Sequence, residues 1–340
     1  MNLWWRHDLL AFVFAITITP LAWCQSSATP DRVATHQILP VSQQAFEFQH
    51  LGQTKAVWHA SQTTIRPYLF PLIGPSGQSV TRMGHPGAPD HDHHRSVWFA
   101  HHSVDGMSYW SENGGTRIQQ KQWYAIEDGA EACRLATNLE WIATDGTPHV
   151  NQDLIIELIA GKDNEFWIDV QTEFRAAEGR ETVTFDQSNF GIFAVRVSKQ
   201  LSQVFGGGTL TSDTGDTGEP ALFEKPHRWV DYSGNTTVYH ENQSDSVPEG
   251  ITYFDHPTNP GFPNRWHVRK DGWMCASPTM TAPIIIDSDS SLQLRYRLSI
   301  HRGGYDPNRA AATFKDFAAQ KPWSIERSKR PHIRYELVRQ

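Results

Sequence analysis

Beyond residue 28 the chain has no apolar run approaching the ~20 residues that a membrane-crossing helix needs. It is also poor in cysteine: of three, only Cys133 and Cys275 lie past that point, so its core must stand on burial, with at most one disulfide. No long stretch carries charge of one sign. The formal net charge of −7 is scattered, which argues against a phosphate-binding face and so against nucleic acid as a partner. A Gly-x-Ser-x-Gly elbow, a phosphate-cradling glycine loop and a dinucleotide fingerprint are all missing. Those absences disfavour a serine hydrolase, a kinase and a Rossmann oxidoreductase.

What is there begins with a leader. Arg6 precedes the short apolar run from Leu9 to Ile18, and Pro20, Ser26, Ser27 and Ala28 follow. That layout predicts a signal peptide over 1–28 and export to the periplasm or the medium, leaving residues 29–340 as one domain. In the remainder, Phe166, Ile168, Val170, Thr172 and Phe174 alternate with polar neighbours, as do Leu292, Leu294, Tyr296, Leu298 and Ile300. Period two is the mark of half-buried strands. Weaker strand patterns cover 135–141, 154–159 and 192–197, with turn-forming clusters between them. Only 308–320 has helical spacing. The expected fold is all-β: a large antiparallel β-sandwich with long loops at 74–95, 206–234 and 255–272 and one short C-terminal helix.

Thirteen tryptophans and seventeen histidines are the compositional excess. Flat indole faces suit the core and equally the apolar faces of pyranose rings. Six histidines crowd into one stretch: His85, His91, His93, His94, His101 and His102, with Asp90 and Asp92 between them. In an extended segment His91 and His93 share a face and His94 points the other way. Imidazoles so placed can ligate a metal, or they can act as acid and base in a hydrogen-bonded loop without one. Arg95 is a surface charge or a two-pronged clamp for a carboxylate such as a uronic acid offers. Asp231 and Tyr232 form an acid/base pair or merely bound a turn closed by Gly234. Asp255 beside His256 is a base-and-orienter pair or a loop turn. His301 ends the clearest strand, where sites often gather.

Several strings stand in a fixed order. Arg66-Pro67-Tyr68 and Val80-Thr81-Arg82 lead into Asp90-His91-Asp92-His93-His94-Arg95. Then come residues 191–197, Trp229 to Gly234, Phe254-Asp255-His256-Pro257 and Arg295 to Gly303. Together, over about residues 60–305, they resemble the secreted bacterial family catalogued as PmoA, a domain of unknown function. Its inherited name suggests a methane oxygenase subunit, which is membrane-embedded and unlike this chain. The resemblance implies a sandwich in the style of galactose mutarotase-like supersandwiches. It places the family's His-x-His-His-Arg element on His91, His93, His94 and Arg95, and its Asp-His-Pro on Asp255, His256 and Pro257. The chain departs from the pattern at Ser96, at His102 and at Ser277-Pro278-Thr279.

The resulting expectation is an exported carbohydrate-active enzyme, a hydrolase, lyase or epimerase. His93, His94, Asp255, His256 and His301 would carry the chemistry. Arg95, Trp98, Trp229, Asp231, Tyr232, Arg265 and His267 would hold a sugar or oligosaccharide. One divalent metal (zinc, manganese, iron or calcium) would sit on His91, His93 and His256, or none would. The rival from another class is a non-catalytic carbohydrate-binding envelope protein, and the least favoured is a copper or redox protein.

Overall fold

The computed structural model describes residues 33–85, 88 and 92–340. The expected signal peptide, Asp90 and His91 lie outside the described residues. Residues 34–340 form one compact unit.

Five strands come first: β1 (His36–Val41), β2 (Ala45–His50), β3 (Gln53–His59), β4 (Tyr68–Leu72) and β5 (Val97–His101). Four long ones follow: β6 (Arg117–Glu127), β7 (Ala132–Ile142), β8 (Pro148–Ala160) and β9 (Phe166–Ala176). Next are β10 (Thr182–Phe185), β11 (Gly191–Arg196), α1 (Gln203–Gly206), β12 (Thr209–Ser212) and α2 (Glu219–Leu222). Then come β13 (Trp229–Tyr239), β14 (Ser244–Asp255), β15 (Trp266–Arg269) and β16 (Trp273–Ala276). The chain closes with β17 (Ile284–Asp287), β18 (Leu292–Arg302), α3 (Pro307–Ala319), β19 (Trp323–Arg327) and β20 (Tyr335–Arg339).

Two eight-stranded antiparallel sheets carry the fold. The first runs β1-β2-β3-β4-β5-β11-β16-β15 and the second β12-β13-β14-β18-β9-β8-β7-β6. Their inner faces share one apolar core, as the period-two pattern requires. Phe166, Ile168 and Phe174 of β9 and Leu294, Tyr296 and Leu298 of β18 are buried there. They meet the other sheet through ring contacts such as Phe193 on Tyr296 (5.4 Å) and Phe99 on Phe174 (6.1 Å). Truncating such an aromatic to alanine costs about 3–5 kcal/mol. The all-β sandwich expected from the sequence is what forms. Among the described residues no helix is long and apolar enough to cross a membrane.

Three expectations need correction. The segment 206–234 is not one loop, since it contains β12, α2 and the start of β13. Trp229 to Gly234 is strand, paired along its length with β14, and not a turn. Several polar residues that alternate with the core on β13, β9 and β18 do not face solvent: Asp231, Asp169, Arg295, Arg297 and His301 are buried, with α3 packed on Arg295 and Arg297 through Phe317 and on His301 through Arg309, while Gln293 stays exposed. That helix begins where Asp306 accepts from the backbone N–H of Asn308 and Arg309. Its Phe314 and Phe317 pack on Trp229 (5.2 Å) and His256 (4.8 Å). Beneath it Arg297 grips Asp169 with two hydrogen bonds. Cys133 lies in the second sheet and Cys275 in the first, both buried and free.

Candidate functional site

The outer face of the first sheet carries a cup. Alternation sends Val97, Phe99, Phe193, Val195, Met274 and Val268 into the core. Their strand neighbours Trp98, Ala194, Arg196, Trp273, Cys275 and His267 therefore point the other way. Register does the rest. Ala194 lies opposite both Trp98 and Cys275, and Cys275 opposite His267. Two small side chains thus sit between two large ones, which makes a depression. Next along, Arg196 pairs with Trp273 and Trp273 with Arg269. The turn joining β15 to β16 holds Asp271 and needs glycine after it. Gly272 has φ +105°, and a Cβ there would meet the Val197 side chain at 2.9 Å.

Aromatic rings wall the depression. Trp98, Trp110 and Trp273 stand mutually 5.1–5.9 Å apart, and Phe190 sits 5.2 Å from Trp110 and 4.8 Å from His267. Trp110 is fixed through its carbonyl, which accepts from the buried Arg66 at 2.8 Å. The two ends of the histidine-rich segment meet beside this wall, with Met83 bridged to Arg95 and the Gly84 N–H donating to the His94 carbonyl (2.8 Å). His94 stacks on Trp98 (5.7 Å), and His93 lies 4.6 Å from His94 and 6.0 Å from Trp110. The resulting cavity of about 140 Å³ is lined by His93, His94, Trp110, Phe190, Arg196, His267, Arg269, Asp271 and Trp273. Pockets for drug-sized ligands measure roughly 300–1,000 Å³, so this smaller cup suits a single small ring.

Its polar groups are unevenly satisfied. His267 donates from Nδ1 to the Asn189 carbonyl at 2.9 Å, an oxygen that also accepts from Ser277. That bond fixes the tautomer and leaves a lone pair on Nε2, which is buried and has no partner among the described residues. Burial pushes the imidazole down to about 4, so it is neutral near pH 7. Asp271 accepts from Arg196 (2.8 Å) and His85 (2.9 Å). Burial alone would raise its carboxyl, but these two partners outweigh burial and hold it below the usual range.

The structure gathers three of the predicted residues, His93, His94 and His267, with Trp98 directly behind them. The other described candidates lie elsewhere. Arg95 already grips a carboxylate, that of Glu112, through Nε (2.7 Å) and Nη2 (2.5 Å), so its clamp is filled. Arg265 is exposed and donates to the Glu224 carbonyl. Tyr232 points into the core and donates to the Arg269 carbonyl. Trp229 packs under α3 and donates to Tyr305.

Asp231 and His301 belong to the outer face of the second sheet, whereas Asp255 ends β14 opposite the core-facing Tyr296 and His256 opens the loop that follows. Arg309 donates to His301 Nδ1 (2.9 Å), so Nε2 carries the proton and donates to Asp231 (2.8 Å). Thr252 and Ser233 also donate to that carboxylate, a closed network beneath the C-terminal segment. Asp255 accepts from Asn259 and Asn264 and ties down the loop after β14. Burial nonetheless raises its carboxyl to about 6. His256 Nε2 must accept from Arg295 (2.9 Å), because a guanidinium only donates. Burial first, then Arg295, lowers the ring to about 4. His256 therefore has no lone pair to offer a metal and does not fit the ligand set with His91 and His93. Among the described residues no three or more His, Cys, Asp or Glu side chains are grouped to hold a metal ion.

Sequence reasoning passed over Trp110, Phe190, Arg196, Asp271 and Trp273 as site residues. One signal was available: Arg196 interrupts the apolar run Gly191–Val197, in a strand whose other side chains are all buried.

Residues 45–315 match the family of unknown function DUF6807, and the chain belongs to it. No curated protein matches. Among solved structures, a beta-arabinopyranosidase is similar at TM-score 0.30 and 9% identity, over 80% of this chain and 39% of that one. This chain thus spans well under half of that enzyme. A GalM/aldose epimerase homologue from C. elegans is similar at TM-score 0.27 and 9% identity, over 80% of this chain and 100% of that one. Likenesses this weak carry no argument about activity.

Proposed function

We propose that the cup binds a sugar ring and that the protein is an exported enzyme acting on a sugar or glycoside there. The observation that supports this is the pairing of an indole and phenyl wall with the unpartnered Nε2 of a neutral histidine. Trp110, Trp273 and Phe190 offer flat apolar faces to pyranose C–H groups. His267 Nε2 accepts a hydrogen bond from a ring hydroxyl without competing for a proton, since burial keeps it neutral. A buried acceptor left unmade is costly, and a hydroxyl is the group that relieves it. In this reading His93, half-buried, and the buried His94 move a proton to or from the bound sugar, and what supports it is that both line the cup.

The test is a panel of sugars and aryl glycosides assayed for binding and turnover, with wild type beside His93→Ala. The reading expects His93→Ala to keep most of the affinity and to lose turnover by roughly 10²-fold or more. Unchanged turnover would remove His93 from the chemistry. A sugar that binds in the cup and is never converted would favour the non-catalytic binding protein.

A further inference from the structure

Two arginines of this protein grip a carboxylate side-on. Arg95 sets Nε and Nη2 against the two oxygens of Glu112, and Arg297 does the same with Asp169 at 2.5 and 2.6 Å. That edge of a guanidinium offers two parallel N–H bonds spaced for the two oxygens of a carboxylate. Arg196 uses only its other end, where Nη1 donates to Asp271. Its Nε and Nη2 have no partner among the described residues, although the side chain is 1% exposed and lines the cup. Buried donors are nearly always satisfied, and an orphaned charged pair points to an absent acceptor.

The local charge agrees. Arg82 donates to the Asp271 carbonyl and keeps Nη1 without a partner, while Arg269 is paired with Glu219. Three guanidiniums, on Arg82, Arg196 and Arg269, thus meet two carboxylates, on Asp271 and Glu219. Among these described groups the guanidiniums outnumber the carboxylates that they hold.

Resting on the reading of the cup as a sugar site, we propose that its ligand is an acidic sugar, a pyranose bearing a carboxylate, and that Arg196 receives that carboxylate through Nε and Nη2. The carboxylate clamp that the sequence suggested at Arg95 is spent on Glu112, and Arg196 supplies it instead. This edge is shielded from water. The ligand reaches it with a side-chain shift at the mouth, a common accompaniment of binding.

The test titrates the wild-type protein with matched probes: glucose, glucuronate and glucose 6-phosphate, then galactose and galacturonate. A uronate should bind at least tenfold more tightly than its neutral twin. Arg196→Lys keeps the charge without the fork, and Arg196→Met removes both. Either should bring the pair within about twofold. Because Arg196 also holds Asp271, each variant is checked for a cooperative melt, and the wild-type comparison stands without them. Equal binding of neutral and acidic twins, or tightest binding of the sugar phosphate, overturns the acidic-sugar inference and leaves the sugar site standing. A uronate preference that survives in folded Arg196→Met overturns the assignment to Arg196. If none of the sugars binds, the cup is not a sugar site and both fall.

Discussion

Replacing His267 with phenylalanine separates what holds the cup together from what it binds. The ring keeps its place among Phe190 (4.8 Å), Phe223 (5.3 Å) and Trp273 (5.7 Å), so little packing is lost. The bond from Nδ1 to Asn189 disappears, at about 1 kcal/mol, but that carbonyl still accepts from Ser277. Against this, the variant no longer buries an unpaired Nε2, whose desolvation costs roughly 1–3 kcal/mol. The two terms nearly cancel, and stability should stay within about 1 kcal/mol of wild type or rise. Sugar affinity moves the other way. Losing one neutral hydrogen bond of about 1 kcal/mol weakens binding about fivefold. Urea denaturation reads the first quantity. Tryptophan fluorescence during a sugar titration reads the second, since Trp98, Trp110 and Trp273 cluster at the cup. A variant destabilised by more than about 3 kcal/mol with unchanged affinity would show that His267 is a structural histidine and that the reasoning is wrong.

Other outcomes follow from the same geometry. Arg297→Met leaves Asp169 buried without its partner and should cost about 3–5 kcal/mol, seen as a large fall in Tm. Asp255 should give a pH signature in stability. Its folded value, about 6, lies above its ordinary 3.8, so the native state holds the proton more tightly. This contribution to stability is full below about pH 4, is lost as pH rises to about 6 and is level above that. Asp255→Asn should abolish that decline in pH-dependent denaturation curves, and a slope unchanged in the variant would assign the decline to another group. Metal analysis of the purified protein, beside a His91→Ala/His93→Ala variant, should find less than stoichiometric metal in both, because His256 is committed to Arg295. One equivalent in wild type, lost in the variant, would place a metal at the histidine-rich segment.

The fold was legible where one physical requirement dominates. Phe166 to Phe174 and Leu292 to Ile300 alternate because one side of each strand faces the sandwich core, and those residues are buried as the pattern demands. The helix was legible from its apolar spacing, and it runs Pro307–Ala319 with Asp306 as its cap. Its docking position was not. Nothing local in β13 or β18 announces that their polar faces will be covered, so Asp231 and His301 read as surface chemistry when they form a closed network under the C-terminal segment. The site was half legible. His93 and His94 stood out because they are crowded in sequence. The cup also depends on Ala194 and Cys275 lying side by side and on Arg196 facing Trp273. Strand register across a sheet joins residues some eighty positions apart, and a single sequence carries no mark of it.

The central claim is that a sugar ring sits in the cup against Phe190 and Trp110. Saturation-transfer NMR with a uronate or its neutral twin tests it directly, with Phe190→Ala as the control, a half-buried wall residue packed against the tryptophan cluster. The account predicts transfer from the protein to the ring C–H protons, reduced several-fold in Phe190→Ala while the melting curve is preserved. Transfer that is equal in wild type and variant, or absent from every sugar tried, would contradict it.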